Sequence, residues 1–293
     1  MTRIGVVGAG RVGAVLSAGL RAAGHEVVAA AGESDASRHR VATLLPGVPV
    51  LKPTAVSRSC ELLLLTVPDD MLGNVVTQLA ASGAIRPGQL VAHTSGRHGL
   101  AVLAPAAARG AHVMALHPAM TFTGTALDLP RLEGCAFGVT AESPMSVATV
   151  ESLVSDLRGR LVWVPEDKRT VYHAGLAHGA NHLVTLVTQA MELVRESGAT
   201  DPAATLRPLL TAALDNALTM GDAALTGPIV RGDVETVRAH LEGIVRTRPD
   251  TLPSYVALAR ATANTAVLDG RLLPIRAAKL VGILNDALER VAA

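Results

Sequence analysis

The length, composition and charge of the chain limit what it can be. At 293 residues it exceeds the usual size of one hydrophobic core, so two domains are expected. Hydrophobic residues make up 49% and charged residues 17%, which excludes a disordered protein. The net charge of +1 and the aromatic content of 2% argue against nucleic acid or an anionic membrane as a partner.

The compartment is inferred from the cysteines and the apolar segments. Only Cys60 and Cys135 occur, and neither lies in a CxxC spacing, which is typical of a reduced protein. The first strand starts almost at the N-terminus, which leaves no room for a signal peptide. The longest apolar run, around residues 62–65, is far shorter than the roughly 20 residues of a membrane span. We therefore expect a cytoplasmic protein.

The N-terminal segment carries the most informative motif. An apolar run, Ile4-Gly-Val-Val7, ends in Gly8-Ala-Gly-Arg-Val-Gly13, and a helical pattern follows. In this strand–turn–helix context, a G-x-G-x-x-G sequence binds a dinucleotide: glycines let the backbone approach the pyrophosphate, and free N–H groups at the helix start face it. The predicted cofactor contacts are Gly8, Ala9, Gly10, Arg11, Val12 and Gly13. The alternative is a Rossmann-like fold that has lost its cofactor.

The rest of the first half alternates strands with helices. Further strands are predicted at residues 27–31, 62–67, 90–93, 113–116, 135–139 and 161–164. Helices are predicted near residues 69–82, 97–109 and 144–157. This alternation predicts an α/β fold with a doubly wound, mostly parallel sheet. We assign residues 1–164 to this dinucleotide-binding Rossmann domain.

The second half reads as helix throughout. One helix of about 30 residues is predicted over 167–197, and others near 201–225, 233–247, 251–268 and 274–291. Glycine and proline residues separate these segments, as expected between helices. Residues 165–293 are therefore predicted to form an all-helical C-terminal domain.

Polar residues follow several of the predicted strands. Ligands of doubly wound sheets bind beyond the carboxyl ends of the strands, so these residues point to an active site. Val67, Pro68 and Asp69 are predicted to contact the cofactor, and Ser95 and His117 to contact the substrate. Ordinary turn chemistry is the alternative for each residue taken singly.

The segment after the second strand bears on the choice of cofactor. An acidic residue here binds the ribose 2′-hydroxyl of NAD, whereas arginine and serine favour the 2′-phosphate of NADP. Glu33 stands at the acidic position, but Ser34, Ser37, Arg38 and Arg40 follow it. We predict NADP, with NAD as the alternative, and assign Ser34, Ser37 and Arg38 as contacts.

The long helix carries a polar stripe on an otherwise apolar face. His178, Asn181, His182 and Thr185 fall within an arc of about 100°. Such groups are costly when buried without partners, which favours a substrate-facing role. Histidines satisfied within a core are one alternative. A metal site through the His178–His182 spacing is another, but no HExxH pattern or third ligand accompanies it, so no metal is predicted.

The chain resembles the 6-phosphogluconate dehydrogenase-like reductases, which join a Rossmann domain to a helical domain. The glycine motif, the Val67-Pro68-Asp69 loop and Asn181 on the long helix carry this resemblance. The family includes hydroxyacid dehydrogenases, ketopantoate reductases and pyrroline-carboxylate reductases. More narrowly, the chain is similar to a branch whose helical half is a domain of unknown function. The shared stretches are His93-Thr-Ser-Gly96, His117-Pro118, Tyr172-His173, Asn181 and Leu225-Thr-Gly-Pro-Ile-Val-Arg-Gly-Asp233.

The resemblance implies an NAD(P)H-dependent reductase that transfers hydride to the carbonyl or imine carbon of a small carboxylate-bearing substrate. Its most definite substrate is 2-dehydropantoate (ketopantoate), in pantothenate biosynthesis. The substrate is expected to bind between the domains, and a homodimer is expected to form through the helical domain.

The resemblance also suggests roles on the helical half. Asn181 holds the substrate, and His178 supplies the proton from the position where hydroxyacid dehydrogenases carry a lysine. His182 is a further predicted substrate contact. Arg231 is predicted to pair with the substrate carboxylate, and an ion pair with Asp233 is the alternative.

Two departures from the family pattern keep a second hypothesis open. His178 replaces the lysine, and Gly32-Glu33-Ser34 replaces the Ser-Arg-Ser of many relatives. The alternative to an enzyme is therefore a non-catalytic NAD(P)-binding sensor.

Overall fold

The first half of the computed structural model, which describes residues 1–292, is built on a seven-stranded sheet. Its strands are β1 (Arg3–Val7), β2 (Glu26–Ala31), β3 (Leu62–Leu65), β4 (Leu90–His93), β5 (His112–Pro118), β6 (Ala136–Thr140) and β7 (Arg160–Trp163). They lie in the order β2-β1-β3-β4-β5-β6-β7, and every neighbouring pair is parallel except β5 and β6. The predicted doubly wound, mostly parallel sheet is confirmed.

The sheet is buried on both faces, which explains the unbroken apolar sequence of β3. Successive side chains of a strand point to opposite faces. Leu62 and Leu64 therefore join one core, with Leu16, whereas Leu63 and Leu65 join the other, with Leu72. This two-sided packing fixes the carboxyl ends of β1, β3, β4 and β5 along one edge.

Six helices belong wholly to this half of the chain. They are α1 (Arg11–Ala22), α2 (Asp35–Leu44), α3 (Pro53–Ser59), α4 (Asp69–Ala81), α5 (Ala104–Ala107) and α6 (Pro144–Asp156). The helix predicted over 97–109 is wrong in length, because only α5 and a 3₁₀ turn at Ala101–Leu103 form. The preceding residues are held instead by Glu166, whose carboxylate accepts hydrogen bonds from the N–H groups of Leu100 at 2.7 Å and Ala101 at 3.1 Å.

The second half is helical, as predicted. It contains α7 (Arg169–Glu196), α8 (Pro202–Met220), α9 (Pro228–Arg231), α10 (Val234–Thr247), α11 (Leu252–Leu268) and α12 (Pro274–Ala292). The helix expected over 201–225 stops at Met220, because Gly221 adopts φ +58° and starts a 3₁₀ turn. The core of this half joins α9, α10, α11 and α12 through side chains such as Ile229, Leu241, Val256 and Leu284.

The chain separates into two compact units, Met1–His178 and the residues from Gly179 onward. The first turns of α7 thus belong with the sheet, although the sequence placed the domain boundary at residue 164. The cause is Arg169, a fully buried residue that donates hydrogen bonds to groups following β4 and within β6. Within the described residues, no helix is long and apolar enough to cross a membrane.

Candidate active site

The glycine loop after β1 combines tight packing with one open position. Gly8 has φ +96°, and a Cβ there would lie 2.7 Å from the backbone of Thr66 and Val67. A Cβ on Gly13 would collide with the Thr66 hydroxyl. A Cβ on Gly10, in contrast, would meet only the Gly8 carbonyl oxygen, at 3.8 Å. Gly8 and Gly13 are therefore required for packing, whereas Gly10 leaves room for a ligand.

A cleft of about 660 Å³ opens at this loop. The ends of β1, β2 and β3 meet there, together with the segment before α3 and the first turns of α4. The lining residues are Val7, Gly8, Gly10, Ala31, Gly32, Glu33, Ser34, Ser37, Val50, Leu51, Lys52, Pro53, Thr66, Val67, Pro68, Met71 and Val75. Since α1 begins at Arg11 with no acidic residue in its first turn, its unpaired N–H groups favour an anion at this position.

Six of the predicted cofactor contacts line the cleft: Gly8, Gly10, Ser34, Ser37, Val67 and Pro68. Ser34 caps α2, since its Oγ accepts a hydrogen bond from the Ser37 N–H at 3.1 Å, and the two hydroxyls lie 2.9 Å apart. Two neighbouring hydroxyls thus stand at the end of β2, where a ribose or its phosphate would lie.

The other six predicted contacts do not line the cleft. Ala9 is buried in the loop, and Arg11, Val12 and the buried Gly13 form the first turn of α1. Arg38 is directed to its own helix, because it pairs with Asp35 at 2.5 Å and donates to the Glu33 carbonyl. Asp69 pairs with Arg97 at 3.3 Å.

The sequence reading missed the segment that closes the cleft opposite Ser34. Val50 bridges to Ala30 of β2, and the Leu51 N–H donates to the Ala30 carbonyl at 2.9 Å. This pairing places Lys52 on the cleft, where it is the only cationic side chain among the lining residues. The one available signal was Pro53, since proline favours the first position of a helix.

One end of the cleft is apolar although solvent reaches it. Val50, Leu51 and Met71 are 42%, 41% and 44% exposed. Exposed apolar side chains gathered at one cleft mark a ligand surface. They suit a flat, weakly polar group such as an adenine ring.

A second group of polar side chains gathers where the carboxyl ends of β4 and β5 meet the start of α7. We call it the edge cluster: His93, Ser95, His117, Arg169, Tyr172 and His173. His93 Nδ1 accepts a hydrogen bond from the Ser95 N–H at 3.1 Å, so its Nε2–H donates to the Gly99 carbonyl at 2.9 Å. Burial lowers the pKa of His93 to about 4. His93 is therefore a neutral side chain that shapes the loop carrying Ser95.

His117 and Tyr172 form the central pair of the edge cluster. Their Nδ1 and hydroxyl oxygen lie 3.1 Å apart, and the two rings meet edge to face. Burial, and then the charge of Arg169, lower the pKa of His117 to about 4. Close approach is possible because Gly96 and Gly138 lack side chains: a Cβ on Gly138 would collide with the Tyr172 hydroxyl, and one on Gly96 would lie 3.0 Å from His117 Nε2.

Arg169 is a buried cation without a carboxylate partner. Its Nη1 donates to the Thr140 hydroxyl at 3.0 Å, and its Nη2 donates to the Ser95 carbonyl at 2.7 Å. No carboxylate of the described chain lies within ion-pair distance of this guanidinium, and the buried Nε has no hydrogen-bond partner. The guanidinium carbon lies 6.0 Å from the centre of the Tyr172 ring. Sequence reasoning missed Arg169, because its partners are distant in the chain.

The polar stripe of α7 is exposed. His178, Asn181 and His182 are all accessible to solvent in the single chain. This face of α7 is therefore open to solvent in the single chain, and the substrate-facing role of these residues stays a prediction. In residues 1–292, no cluster of three or more His, Cys, Asp or Glu side chains is placed to hold a metal ion.

Helix termini account for the glycines and the aspartate of the Leu225–Asp233 stretch. Gly227 has φ +100° before the proline that begins α9, and Gly232 has φ +68° at its end. Asp233 caps α10, accepting hydrogen bonds from the Thr236 N–H at 3.1 Å and hydroxyl at 2.7 Å. Since Asp233 is used in this way, no ion pair joins it to Arg231 in the described structure. Arg231 is exposed.

Two family models match this chain, one in each half. Residues 1–118 match the Rossmann-like domain, and residues 135–262 match a domain of unknown function, DUF2520. The chain joins a Rossmann-like domain to a DUF2520 domain. These matches confirm the two-domain branch that the sequence resembled. No curated protein matches this DUF2520-containing chain in sequence.

Solved structures share the fold over nearly the whole chain. A proposed NADP oxidoreductase from Bacteroides fragilis is 20% identical with a TM-score of 0.78, covering 90% of this chain and 98% of that one. An imine reductase from Myxococcus stipitatus in complex with NADP⁺ is 16% identical with a TM-score of 0.65, covering 92% and 96%. Pyrroline carboxylate reductase from Plasmodium falciparum with NADP bound is 12% identical with a TM-score of 0.60, covering 96% and 98%.

Proposed function

We propose that this protein is an NADPH-dependent reductase that transfers hydride to the carbonyl or imine carbon of a small carboxylate-bearing substrate. The observation that carries the proposal is the cleft at the glycine loop. It combines unpaired helix N–H groups, two hydroxyls at the end of β2 and an apolar end, which suit diphosphate, ribose and adenine in turn. NADP-bound reductases among proteins of the same fold support this choice.

The cofactor contacts follow from the cleft. Gly8 and Gly10 admit the diphosphate, while Ser34, Ser37 and Lys52 surround the ribose position. Val67 and Pro68 line the cleft at the end of β3 and contact the nicotinamide half. NADPH supplies the hydride when bound, and NAD remains the alternative cofactor because Glu33 also lines the cleft.

The most specific substrate we propose is 2-dehydropantoate, which would place the enzyme in pantothenate biosynthesis. Its carboxylate requires a cation, and the exposed Arg231 is the residue that the sequence argument assigns to it. Ser95 and His117 contact the substrate from the sheet edge. Asn181, His178 and His182 contact it from α7, where the sequence argument gives Asn181 the substrate oxygen or nitrogen.

A cytoplasmic homodimer is the proposed state of the enzyme. Exposed apolar side chains of α7 and α8 support the dimer: Leu183, Val184, Leu186, Leu209, Leu214, Leu218 and Met220. Apolar patches of this kind mark protein interfaces. The cytoplasmic location is supported by the two cysteines, which are free and buried.

Two measurements test the proposed function. Fluorescence titration with NADPH and NADH measures cofactor binding, and NADPH oxidation is followed with a panel of 2-oxo acids, ketopantoate included, and cyclic imine carboxylates. A reductase binds the cofactor and turns over at least one substrate of the panel. The sensor alternative predicts tight binding without turnover, and a protein that binds neither cofactor contradicts both.

A further inference from the structure

We propose that the His117–Tyr172 pair delivers the proton to the carbonyl oxygen of a 2-oxo acid substrate, with Arg169 stabilising the tyrosinate that remains. The inference rests on the proposed reductase function and names the proton source and substrate class of that site. It replaces His178, to which the sequence argument gave the proton, by a pair fixed at the sheet edge.

The hydrogen bond between the two residues sets the direction of proton flow. In the tautomer that the relay requires, the neutral His117 carries its ring proton on Nε2, and Nδ1 accepts the hydrogen bond from the Tyr172 hydroxyl, 3.1 Å away. No hydrogen bond to His117 Nε2 occurs in the described structure, and this atom is not among the buried polar atoms without a partner, so solvent reaches it. The Nε2 atom lies beside Gly96, and the His173 ring is its neighbour on that side. Since solvent reaches Nε2, this atom is available as a donor to a bound ligand.

Burial raises the pKa of Tyr172, and the charge of Arg169 acts in the opposite direction, since it favours an anion at the Tyr172 oxygen. A buried arginine held only by neutral oxygens costs free energy, and the fold retains it without a carboxylate. The nearest acidic groups are engaged elsewhere: Glu166 binds two backbone N–H groups, and Asp69 pairs with Arg97. A negative charge on the Tyr172 oxygen would supply the missing counter-charge.

The groups that face His117 come from three elements besides its own strand. Arg169 and His173 lie on α7, His93 ends β4, and Asp69 begins α4. Of these, only Asp69 favours a charged imidazole, and its carboxylate is already paired. The surroundings thus hold His117 neutral, which suits a residue that gives one proton and receives another in the same step.

The pair also stands close to the proposed nicotinamide position. Val67 and Pro68 line the cofactor cleft at the end of β3, and β4 and β5 are the next strands along the same edge. The Asp69–Arg97 ion pair joins the loops after β3 and β4. The edge cluster and the cofactor cleft are therefore neighbours on one rigid sheet.

The proton balance closes without a further reactant. NADPH, when bound, would supply the hydride for the new C–H bond, and the π electrons of the carbonyl would become a lone pair on oxygen. That oxygen takes the proton from His117 Nε2, and His117 Nδ1 takes the proton from Tyr172. The products are a 2-hydroxy acid, NADP⁺ and a tyrosinate, which regains its proton from water.

The test uses the full-length protein, NADPH and the 2-oxo acid of the panel that it reduces fastest. Tyr172→Phe should slow single-turnover hydride transfer by roughly 10²–10⁴-fold, the range for a lost acid, and leave NADPH affinity unchanged. Tyr255→Phe is the matched control, because Tyr255 forms the same kind of bond with His240 Nδ1, at 3.0 Å, outside the proposed site. Hydride transfer in Tyr255→Phe should proceed at the wild-type rate.

A solvent isotope measurement on the wild type covers the case in which Tyr172→Phe fails to fold. Two protons moving in one step give a curved dependence of rate on D₂O fraction, whereas a single transferred proton gives a straight line. A straight line contradicts the proposed proton relay from Tyr172 through His117, and so does full activity in a folded Tyr172→Phe protein. Either result leaves the proposed reductase function intact. Reduction of cyclic imines but of no 2-oxo acid also overturns it. Cofactor binding without any turnover overturns the reductase function and the relay together.

Discussion

Arg169 Nη2 donates a hydrogen bond to the carbonyl oxygen of Ser95 at 2.7 Å, although 74 residues separate them in the chain. This bond ties the first residue of α7 to the loop after β4. Tyr172 lies almost one turn further along the helix, so its ring is held in a fixed place beside His117. A helix that otherwise belongs to the C-terminal half thus contributes its first turn to the edge of the Rossmann sheet.

Gly10→Val should abolish cofactor binding and leave the fold intact. The new Cβ would meet only the Gly8 carbonyl oxygen, at 3.8 Å, so the protein tolerates it, but the side chain would fill the diphosphate position. Fluorescence titration with NADPH measures the effect. Gly243→Val is the control, since no atom lies within 4 Å of a Cβ at that position of α10. An unchanged affinity in folded Gly10→Val protein contradicts the glycine-loop assignment.

Lys52→Ala should weaken NADPH binding by about 10- to 100-fold and leave NADH binding nearly unchanged. A hydrogen bond to a charged group contributes roughly 1.5–3 kcal/mol, and only NADPH carries the 2′-phosphate that Lys52 would meet. Arg38→Ala is the matched comparison and should have the smaller effect, because Asp35 already holds that guanidinium. If Lys52→Ala weakens NADPH and NADH binding equally, Lys52 does not recognise the 2′-phosphate. A larger loss in Arg38→Ala would return that role to Arg38.

The sequence predicts the elements of this protein better than the side chains of its site. Strand β4 was predicted at its observed bounds, 90–93, because an apolar run between turn residues identifies a buried strand. Helix α2 was missed, since only Val41 of that helix is buried and no apolar period results. Lys52 and Arg169 were missed for a different reason. Their positions depend on contacts with Ala30 and Ser95, and pairing over such separations leaves no local signal.

The free energy of unfolding should fall as the pH drops from 6.5 to about 4. Burial lowers the pKa of His93 from 6.5 to about 4, so in this range the unfolded chain binds a proton that the folded one does not. Each pH unit then costs up to about 1.4 kcal/mol for this residue. His117 adds a slope of the same sign, because burial and the charge of Arg169 lower its pKa to about 4 as well. Urea unfolding at several pH values measures the slope, and His93→Asn should make it shallower. If His93→Asn and the wild type show the same slope of unfolding free energy against pH, His93 is not the source of this pH dependence.

His178→Gln distinguishes the two candidate proton sources on the same substrate. If His178 supplied the proton, its loss would slow hydride transfer by about 10²–10⁴-fold and would abolish the isotope effect of the proton step. The edge-cluster relay predicts that the variant loses less than about tenfold, through weaker substrate contact, and keeps the curved D₂O dependence of the wild type. Asn181→Ala should raise KM more than it lowers kcat, because Asn181 would orient the substrate without carrying a proton. A straight D₂O dependence in His178→Gln, with a large loss of rate, would assign the proton to His178 and leave His117 and Tyr172 with a structural role.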